Sequence, residues 1–156
     1  MKYLIGALMW LFRLTWGILD TLVGIVIFLF FLIRYNKQLK IGYVAHCFVV
    51  ELPHKVTDVG WGLSSGLFIF SNTNSIWNRA YLLYHEWGHC IPQTLALGPL
   101  HPFLVSIPSV IRFSWREAQA RKGKELPPYD SVWFEGTATR WGTSWFTKGA
   151  AKGYWK

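Results

Sequence analysis

Apolar residues are concentrated at the amino-terminal end, where residues 4–33 are almost continuously hydrophobic. Only Arg13 and Asp20 place charge within this run. A helix over residues 14–33 would be about 30 Å long, which is the thickness of the hydrocarbon core of a bilayer. The pattern therefore predicts a transmembrane helix. A cleaved signal peptide fits less well, because the run exceeds the usual apolar region of such peptides and no small-residue cleavage site follows it.

Asp20 is the exception within the predicted helix. A carboxylate that faces lipid is costly, so Asp20 is expected to face protein or a water-filled pocket. The alternative is that it marks the end of a short first helix near the membrane surface. Either arrangement gives this residue polar surroundings.

Two valine- and aromatic-rich segments, 42–52 and 62–70, are typical of β-strands that can pair across the polar residues 54–60. Residues 72–75 then offer several helix N-caps, and a helix is predicted over about 76–97. Pro92 lies inside this helix and is expected to kink it or end it soon afterwards.

The next apolar segment, 97–113, is interrupted by one glycine and three prolines, so it is poorly suited to a single regular helix. Residues 114–128 are charged and indicate an exposed loop or a short surface helix. A last helix is predicted over about 130–143, capped by Asp130 or Ser131, and residues 149–156 resemble a basic tail.

Charge and aromatic content favour a membrane setting for the rest of the chain. The net charge is +8, the sequence pI is about 9.7, and there are ten tryptophans. Beside hydrophobic segments, this combination indicates attraction to membrane lipids, particularly anionic ones, rather than to nucleic acid. Basic residues after the anchor slightly outnumber those before it, which only weakly places the rest of the chain in the cytoplasm. Cys47 and Cys90 have no metal-binding or redox spacing. They are expected to be reduced and buried, with a structural disulfide as the alternative.

The segment most suggestive of chemistry is His85-Glu86-Trp87-Gly88-His89, an H-E-x-x-H pattern. On a helix, histidines four residues apart project from one face and can bind one metal ion. Glu86 is then placed to exchange a proton with water at that ion. The segment is otherwise apolar, where two histidines and a glutamate are costly to bury without a shared role.

Glu135, in the last predicted helix, is the expected third ligand. Ala138 and Thr139 follow one turn later, and these small residues would let that helix pack closely against the HExxH helix. Gly88 has no side chain, which permits close approach by another element or by a substrate. A set of two histidines and one glutamate leaves a fourth position open for water, as in catalytic zinc sites. The cofactor predicted from these residues is Zn²⁺.

The chain resembles the gluzincin metallopeptidases, whose pattern is HExxH with a later glutamate on a second helix. The resemblance implies zinc binding by His85, His89 and Glu135, and a general base and acid at Glu86. Gluzincins often carry an aspartate four residues after the glutamate ligand to orient a zinc histidine. Thr139 stands there in this chain, so that orienting group is either weaker or supplied by Asp130 or a backbone carbonyl.

About half of the chain is also similar to a group of small bacterial membrane proteins with an HExGH motif. The matching pieces are residues 62–70, the HEWGH block with Gln93, residues 97–100 and 107–109, and Glu135 with Ala138. This resemblance implies the same membrane architecture, in the bacterial cytoplasmic membrane, and lends no substrate.

The predicted fold is an α+β membrane protein. It has a transmembrane helix, a small β-hairpin or sheet, the HExxH helix, an apolar segment and a carboxy-terminal helix that carries the third ligand. Residues 1–34 would form the anchor and residues 35–156 a zincin-like metal-binding domain. Segment 97–113 must be re-entrant or peripheral, or the metal must lie at membrane depth, because a full crossing would place His89 and Glu135 some 30 Å apart.

The expected function is a membrane-embedded zinc-dependent hydrolase, specifically a metallopeptidase that acts on proteins or peptides near or within the bilayer. Thr139, Gln93 and His101 are candidates for orienting a ligand or stabilising the transition state. Two alternatives remain open at this point. One is a non-catalytic membrane protein with a structural or vestigial metal site, and the other is a basic lipid- or envelope-interaction module.

Overall fold

The computed structural model describes residues 2–53, 61–72 and 76–145, and it shows a mixed α+β fold with one four-stranded sheet. The strands are β1 (Lys40–Val44), β2 (Cys47–Glu51), β3 (Trp61–Ser65) and β4 (Phe68–Asn72). The α-helices are α1 (Lys2–Thr15), α2 (Ile18–Tyr35), α3 (Ile76–Gly88), α4 (Thr94–Leu97), α5 (Ile107–Ala120) and α6 (Trp133–Trp145).

The amino-terminal apolar run forms two helices rather than one. α1 ends at Thr15 and α2 begins at Ile18, so the predicted helix over 14–33 is wrong at its start. With the 3₁₀ turn that follows it, α2 extends over Ile18–Gln38, with a mean hydropathy of 2.2 and only 17% of its most apolar window buried. This helix is long and apolar enough to cross a membrane.

Asp20 faces protein, as predicted. Its carboxylate is fully buried and accepts a hydrogen bond from the backbone nitrogen of Gly66 at 2.7 Å. Ser65 donates to the carboxylate at 3.2 Å, and Nδ1 of His101 lies 3.3 Å from it. Asp20 therefore connects the start of α2 both to the β3–β4 turn and to the segment after α4.

Each segment predicted as a single strand is instead a hairpin. Residues 42–52 turn back at Ala45 and His46, both with positive φ, so the prediction of one strand there is wrong. Residues 62–70 turn at Gly66. The two segments do pair, but through β2 and β4 in parallel, which gives the order β1-β2-β4-β3. The polar residues 54–60, the caps at 73–75 and the tail at 149–156 lie outside the described residues.

One face of α2 packs on the sheet. The Phe28 and Phe68 rings stack with their centroids 5.1 Å apart, and the Phe31 and Phe70 rings lie 5.6 Å apart. These aromatic contacts belong to a core around Val50 that contains residues of the helix and of the sheet. The division of the chain at residue 34 into an anchor and a metal-binding domain stays a prediction. α2 shares a hydrophobic core with the sheet that follows it.

α3, which carries most of the HEWGH motif, continues past Gly88 through a π-helical turn, His89–Gln93, and then through α4. Pro92 lies in this turn, whose i to i+5 pattern accommodates a residue that lacks a backbone donor. Gly98 has a φ of +54°, and shortly after it, between Leu100 and Pro102, the chain bends by 110°. This sharp bend agrees with the expectation that residues 97–113 do not form one regular helix.

The charged segment 114–128 is partly helical, because α5 extends to Ala120. The chain then turns through a 3₁₀ segment, Tyr129–Ser131, before α6 begins at Trp133. The last helix was therefore predicted in the right place, but it starts three residues later than expected.

Both cysteines are free and buried, as predicted, and their sulfurs lie 3.3 Å apart. Arg13 of α1 is only 1% exposed and donates to Sγ of Cys47 at 3.1 Å and to the carbonyl oxygen of His46. A buried guanidinium needs anionic or strongly polar partners. Burial alone would raise the pKa of Cys47, but the hydrogen bond with Cys90, followed by the positive charge of Arg13, lowers this pKa to about 7.

Candidate metal centre

Three predicted ligands converge in the interior of the protein. Oε2 of Glu135 lies 3.0 Å from Nε2 of His85 and 3.1 Å from Nε2 of His89, and the two nitrogens are 3.2 Å apart. His85, His89 and Glu135 are 6%, 4% and 0% exposed. Within the described part of the chain, this is the group of His, Cys, Asp and Glu side chains that could hold a metal ion.

The size of this triangle suits a tetrahedral metal site. Ligand bonds of 2.0–2.1 Å at tetrahedral angles place neighbouring ligand atoms about 3.3 Å apart. The three observed separations, 3.0 to 3.2 Å, are within a few tenths of an ångström of that value. A small cation would therefore fit among the three atoms with little movement.

The hydrogen bonds of Gln93 fix which nitrogen of His89 faces the centre. Its amide nitrogen donates to the carbonyl oxygen of Phe134 and to Oγ1 of Thr137, both at 2.5 Å, so its amide oxygen must be the atom 2.7 Å from Nδ1 of His89. Nδ1 therefore carries a proton, and in the neutral ring Nε2 points a lone pair at the Glu135 carboxylate. A cation can satisfy all three ligand atoms together, whereas a proton bridges only two.

Thr139 supports the other histidine in the same way. Its hydroxyl lies 2.9 Å from Nδ1 of His85, which leaves Nε2 directed at the centre. Outer partners of this kind hold metal-binding imidazoles in position. Thr139 and Gln93 are thus located where the sequence suggested orienting groups, whereas Asp130 shows no contact with either histidine among the described residues.

His101 lies elsewhere. It contacts Asp20 and Ser106, and its Nε2 atom is buried with no hydrogen-bond partner among the described residues. Within the same part of the chain it does not contact His85, His89 or Glu135. A direct role for His101 in stabilising a reacting group stays a prediction, and its observed partners place it in the Asp20 cluster.

Small residues allow α3 and α6 to meet closely. A Cβ atom added at Gly88 would lie 2.8 Å from Cα of Ala138, and one at Gly142 would lie 2.7 Å from the carbonyl carbon of Tyr84. The predicted close packing of the two helices is confirmed, and the neighbour of Gly88 is another element, because Ala138 of α6 lies against it. Gly142 extends the contact by one turn of α6, and its role was not evident from its position in the sequence.

Two residues that the sequence did not single out hold Glu135. Ser109 of α5 donates to Oε1 of Glu135 at 2.6 Å, so the other carboxylate oxygen is free to face the histidines. Tyr129 lies over His85, with ring centroids 5.9 Å apart, and burial followed by the charge of Glu135 raises the pKa of its hydroxyl. Neither residue has a spacing relation to HEWGH, so no pattern in the sequence indicated them.

Glu135 is ionised at neutral pH. Burial alone would raise its pKa, but the imidazoles of His85 and then of His89, which lie against its carboxylate, hold the pKa well below its usual range. The described site therefore combines an anionic oxygen with two imidazole nitrogens. This is the donor set of many hydrolytic zinc centres.

Glu86 lines a pocket beside the ligand triangle and is 5% exposed. A methyl group at Gly62 would lie 2.5 Å from its Oε1 atom, so the absence of a side chain there lets the carboxylate lie against β3. The pocket is lined by Gly62, Leu63, Ser64, Glu86, His89, Val105, Ser106 and Ser109. Glu86 is thus next to the candidate metal site without belonging to the triangle.

Replacing Ser109 with alanine should weaken metal binding. The change removes the hydrogen bond that fixes Oε1 of Glu135, and loss of an outer partner typically costs about 10- to 100-fold in metal affinity. Competition with a chromophoric chelator measures this affinity. Ser114→Ala on the same helix is the matched control, because Ser114 is exposed. Equal affinities for the two variants would contradict the role given to Ser109.

No protein-family model, curated protein or solved structure matches this chain.

Proposed function

We propose that the protein is a membrane-attached zinc-dependent hydrolase, and specifically a peptidase. The observation that carries the proposal is the buried triangle of His85, His89 and Glu135, which has the dimensions of a tetrahedral site, with a carboxylate outside it at Glu86. A purely structural zinc site usually has four protein ligands, whereas three ligands leave a position for water.

Zinc at this position would lower the pKa of a bound water and polarise the carbonyl of a substrate. The residues of the chain have separate tasks around it. His85, His89 and Glu135 would hold the ion, while Thr139, Gln93 and Ser109 orient those three side chains through hydrogen bonds. Glu86 accepts the proton from the attacking water and passes it to the leaving nitrogen.

A peptide substrate is favoured because β3, which is the terminal strand of the sheet among the described residues, lines the pocket. β3 is the terminal strand in the order β1-β2-β4-β3. The carbonyl oxygen of Ser71 accepts a hydrogen bond from the backbone nitrogen of Leu52, which directly follows β2. Gly62, the partner of Ser71 in β3, therefore directs its backbone groups away from β4. Ser64, two residues further along β3, directs its backbone groups to the same side as Gly62 does. An extended peptide can add to this edge and place a carbonyl beside Glu86.

The membrane assignment is supported by α2, whose exposed face is apolar along most of its length. The bacterial cytoplasmic membrane is the location that the resemblance to small HExGH proteins implies. A site attached to the bilayer would act on proteins or peptides near or within it. Zinc, lipids and a peptide substrate are therefore the proposed cofactor and partners.

Removing the metal should abolish hydrolysis. We expect the protein purified in mild detergent to contain close to one zinc per chain, and dialysis against a chelator to stop cleavage of a mixed peptide library followed by mass spectrometry. Adding zinc back should restore the cleavage. Activity that survives complete metal removal would refute the proposal.

Two further results would favour the alternative functions. A protein that contains zinc but cleaves no peptide under any condition would indicate a structural or vestigial site. A correctly folded protein that binds no metal would indicate a basic lipid- or envelope-interaction module.

A further inference from the structure

α5 has an exposed apolar face that no part of the described protein covers. None of its fourteen residues is buried. Ile107, Val110, Ile111 and Trp115 are 51%, 48%, 63% and 48% exposed. Their spacing of three and four residues places them on one side of the helix. We call them the α5 apolar face.

The face extends beyond the start of the helix. Leu100, just before the bend, is 57% exposed, and Phe103 and Leu104, between the bend and α5, are 60% and 43% exposed. A continuous apolar surface of this kind on a folded protein usually marks a site of contact with another molecule or with a membrane.

The opposite side of α5 is polar and tied to the protein. Ser109 donates to Glu135, Arg112 donates to the carbonyl oxygen of Tyr129 at 2.9 Å, and Arg116 donates to that of Pro127 at 2.6 Å. These bonds fix the rotation of the helix about its axis. The α5 apolar face is therefore held outward, and it cannot turn into the interior to escape water.

Charge identifies the surface that would cover this face. Arg121, Lys122 and Lys124 follow α5 directly and are exposed. The nearby acidic residues are Glu117, 3.9 Å from Arg121, and Glu125, so the end of the helix carries a net positive charge. A helix with an apolar face and adjoining cationic residues is typical of binding in the interface of an anionic membrane.

We propose that α5 lies along the surface of an anionic bilayer, with the α5 apolar face in the lipid interface. This inference rests on the membrane attachment of the proposed function. Anionic headgroups neutralise the cationic residues at the end of the helix, whereas a second copy of the chain would bring further positive charge. Arg112 and Arg116 on the other side exclude lipid contact all round the helix, so α5 is peripheral rather than a membrane span.

Lipid binding would bear directly on the candidate metal site. Ser109, which holds Glu135, projects from α5 on the side away from the apolar face. Val105 and Ser106, which line the pocket, directly precede the helix. Seating α5 on a bilayer would fix this wall of the pocket and hold Ser109 against Glu135. The pocket would then open close to the membrane surface, where juxtamembrane segments of other proteins are available.

Collision accessibility of a spin label tests the proposal. The two native thiols are buried, so a cysteine introduced by Ile111→Cys can be labelled selectively in the full-length protein. Ala120→Cys is the matched control, because residue 120 is exposed and lies about 180° around the helix from residue 111. Both labelled proteins are placed in nanodiscs of phosphatidylcholine with phosphatidylglycerol.

We expect the label at residue 111 to collide more often with oxygen, which partitions into lipid, than with a water-soluble nickel chelate. The label at residue 120 should show the reverse. In nanodiscs without phosphatidylglycerol, the difference in accessibility between the two labels should become smaller. Equal access of the nickel chelate to both labels would overturn the proposal, because α5 would then lie in water.

A label at residue 111 that neither reagent reaches would also overturn it, since a protein surface or a second copy would then cover the face. The readout involves neither zinc nor hydrolysis. A failure of the lipid proposal can therefore be told apart from a failure of the proposed enzyme activity.

Discussion

Glu135→Gln should lose zinc together with all hydrolytic activity. The substitution preserves the size of the side chain and its hydrogen bond from Ser109, but it replaces an anionic oxygen with a neutral amide 3.0 to 3.1 Å from both histidine nitrogens. A neutral amide is a much poorer zinc ligand than a carboxylate. The loss in affinity should exceed the roughly 100-fold upper value for an outer partner.

Metal content after gel filtration and competition with a chromophoric chelator measure this effect. Glu125→Gln makes the same chemical change at an exposed position and should bind zinc as the native protein does. Glu135 is fully buried, so circular dichroism and thermal unfolding are needed to show that the variant is folded. A folded Glu135→Gln protein with unchanged zinc affinity would remove residue 135 from the ligand set.

Glu86→Gln should separate metal binding from catalysis. Glu86 lies outside the triangle of ligand atoms, so the variant should keep its zinc. It should lose about 10²- to 10⁴-fold in kcat/KM, because a glutamine cannot accept and return the proton. The rate of cleavage of the best library peptide, measured with native and variant protein at equal zinc content, checks the expectation.

The two variants together discriminate among the functions considered. Loss of activity with retained zinc in Glu86→Gln, and loss of both in Glu135→Gln, is the pattern of a zinc hydrolase. Full activity in Glu86→Gln would exclude it as the proton-transfer group. A cleavage rate that is unchanged by both substitutions would come from a contaminant or from another part of the protein.

The ligand pair was predictable from the sequence because its geometry is local. Any helix brings residues four apart to one face, so His85 and His89 needed no knowledge of the fold. Glu135 required one further argument, that the small residues one turn after it let its helix pack closely on the first, and the contact of Ala138 with Gly88 bears it out.

Ser109 could not be found in this way. It reaches Glu135 only because the chain bends by 110° after α4 and returns past the site. Prolines and Gly98 indicated that the segment is irregular, but the direction of the bend depends on tertiary contacts. Among these is Trp16, which packs where a side chain at residue 98 would stand.

The sheet shows the same division between local and tertiary information. Gly66, with positive φ, occupies the turn of the second hairpin, where glycine is a usual turn residue. The first hairpin turns at Ala45 and His46, which carry no such signal, and the segment therefore looked like one strand. The carbonyl of Ala45 accepts a hydrogen bond from the indole of Trp87, so contact with α3 helps to fix this turn.

The first turns of α2 are buried against the sheet, so an unrelated membrane helix cannot replace α2 without loss of these contacts. Asp20 binds the backbone of Gly66, and a Cβ atom at Gly24 would meet the side chain of Phe68 at 3.0 Å. A chimaera carrying an unrelated membrane span in place of α2 would still be inserted into the bilayer. It would lack the contacts that α2 makes with the sheet and with the bend beside the candidate metal site. This part of the protein should therefore misfold.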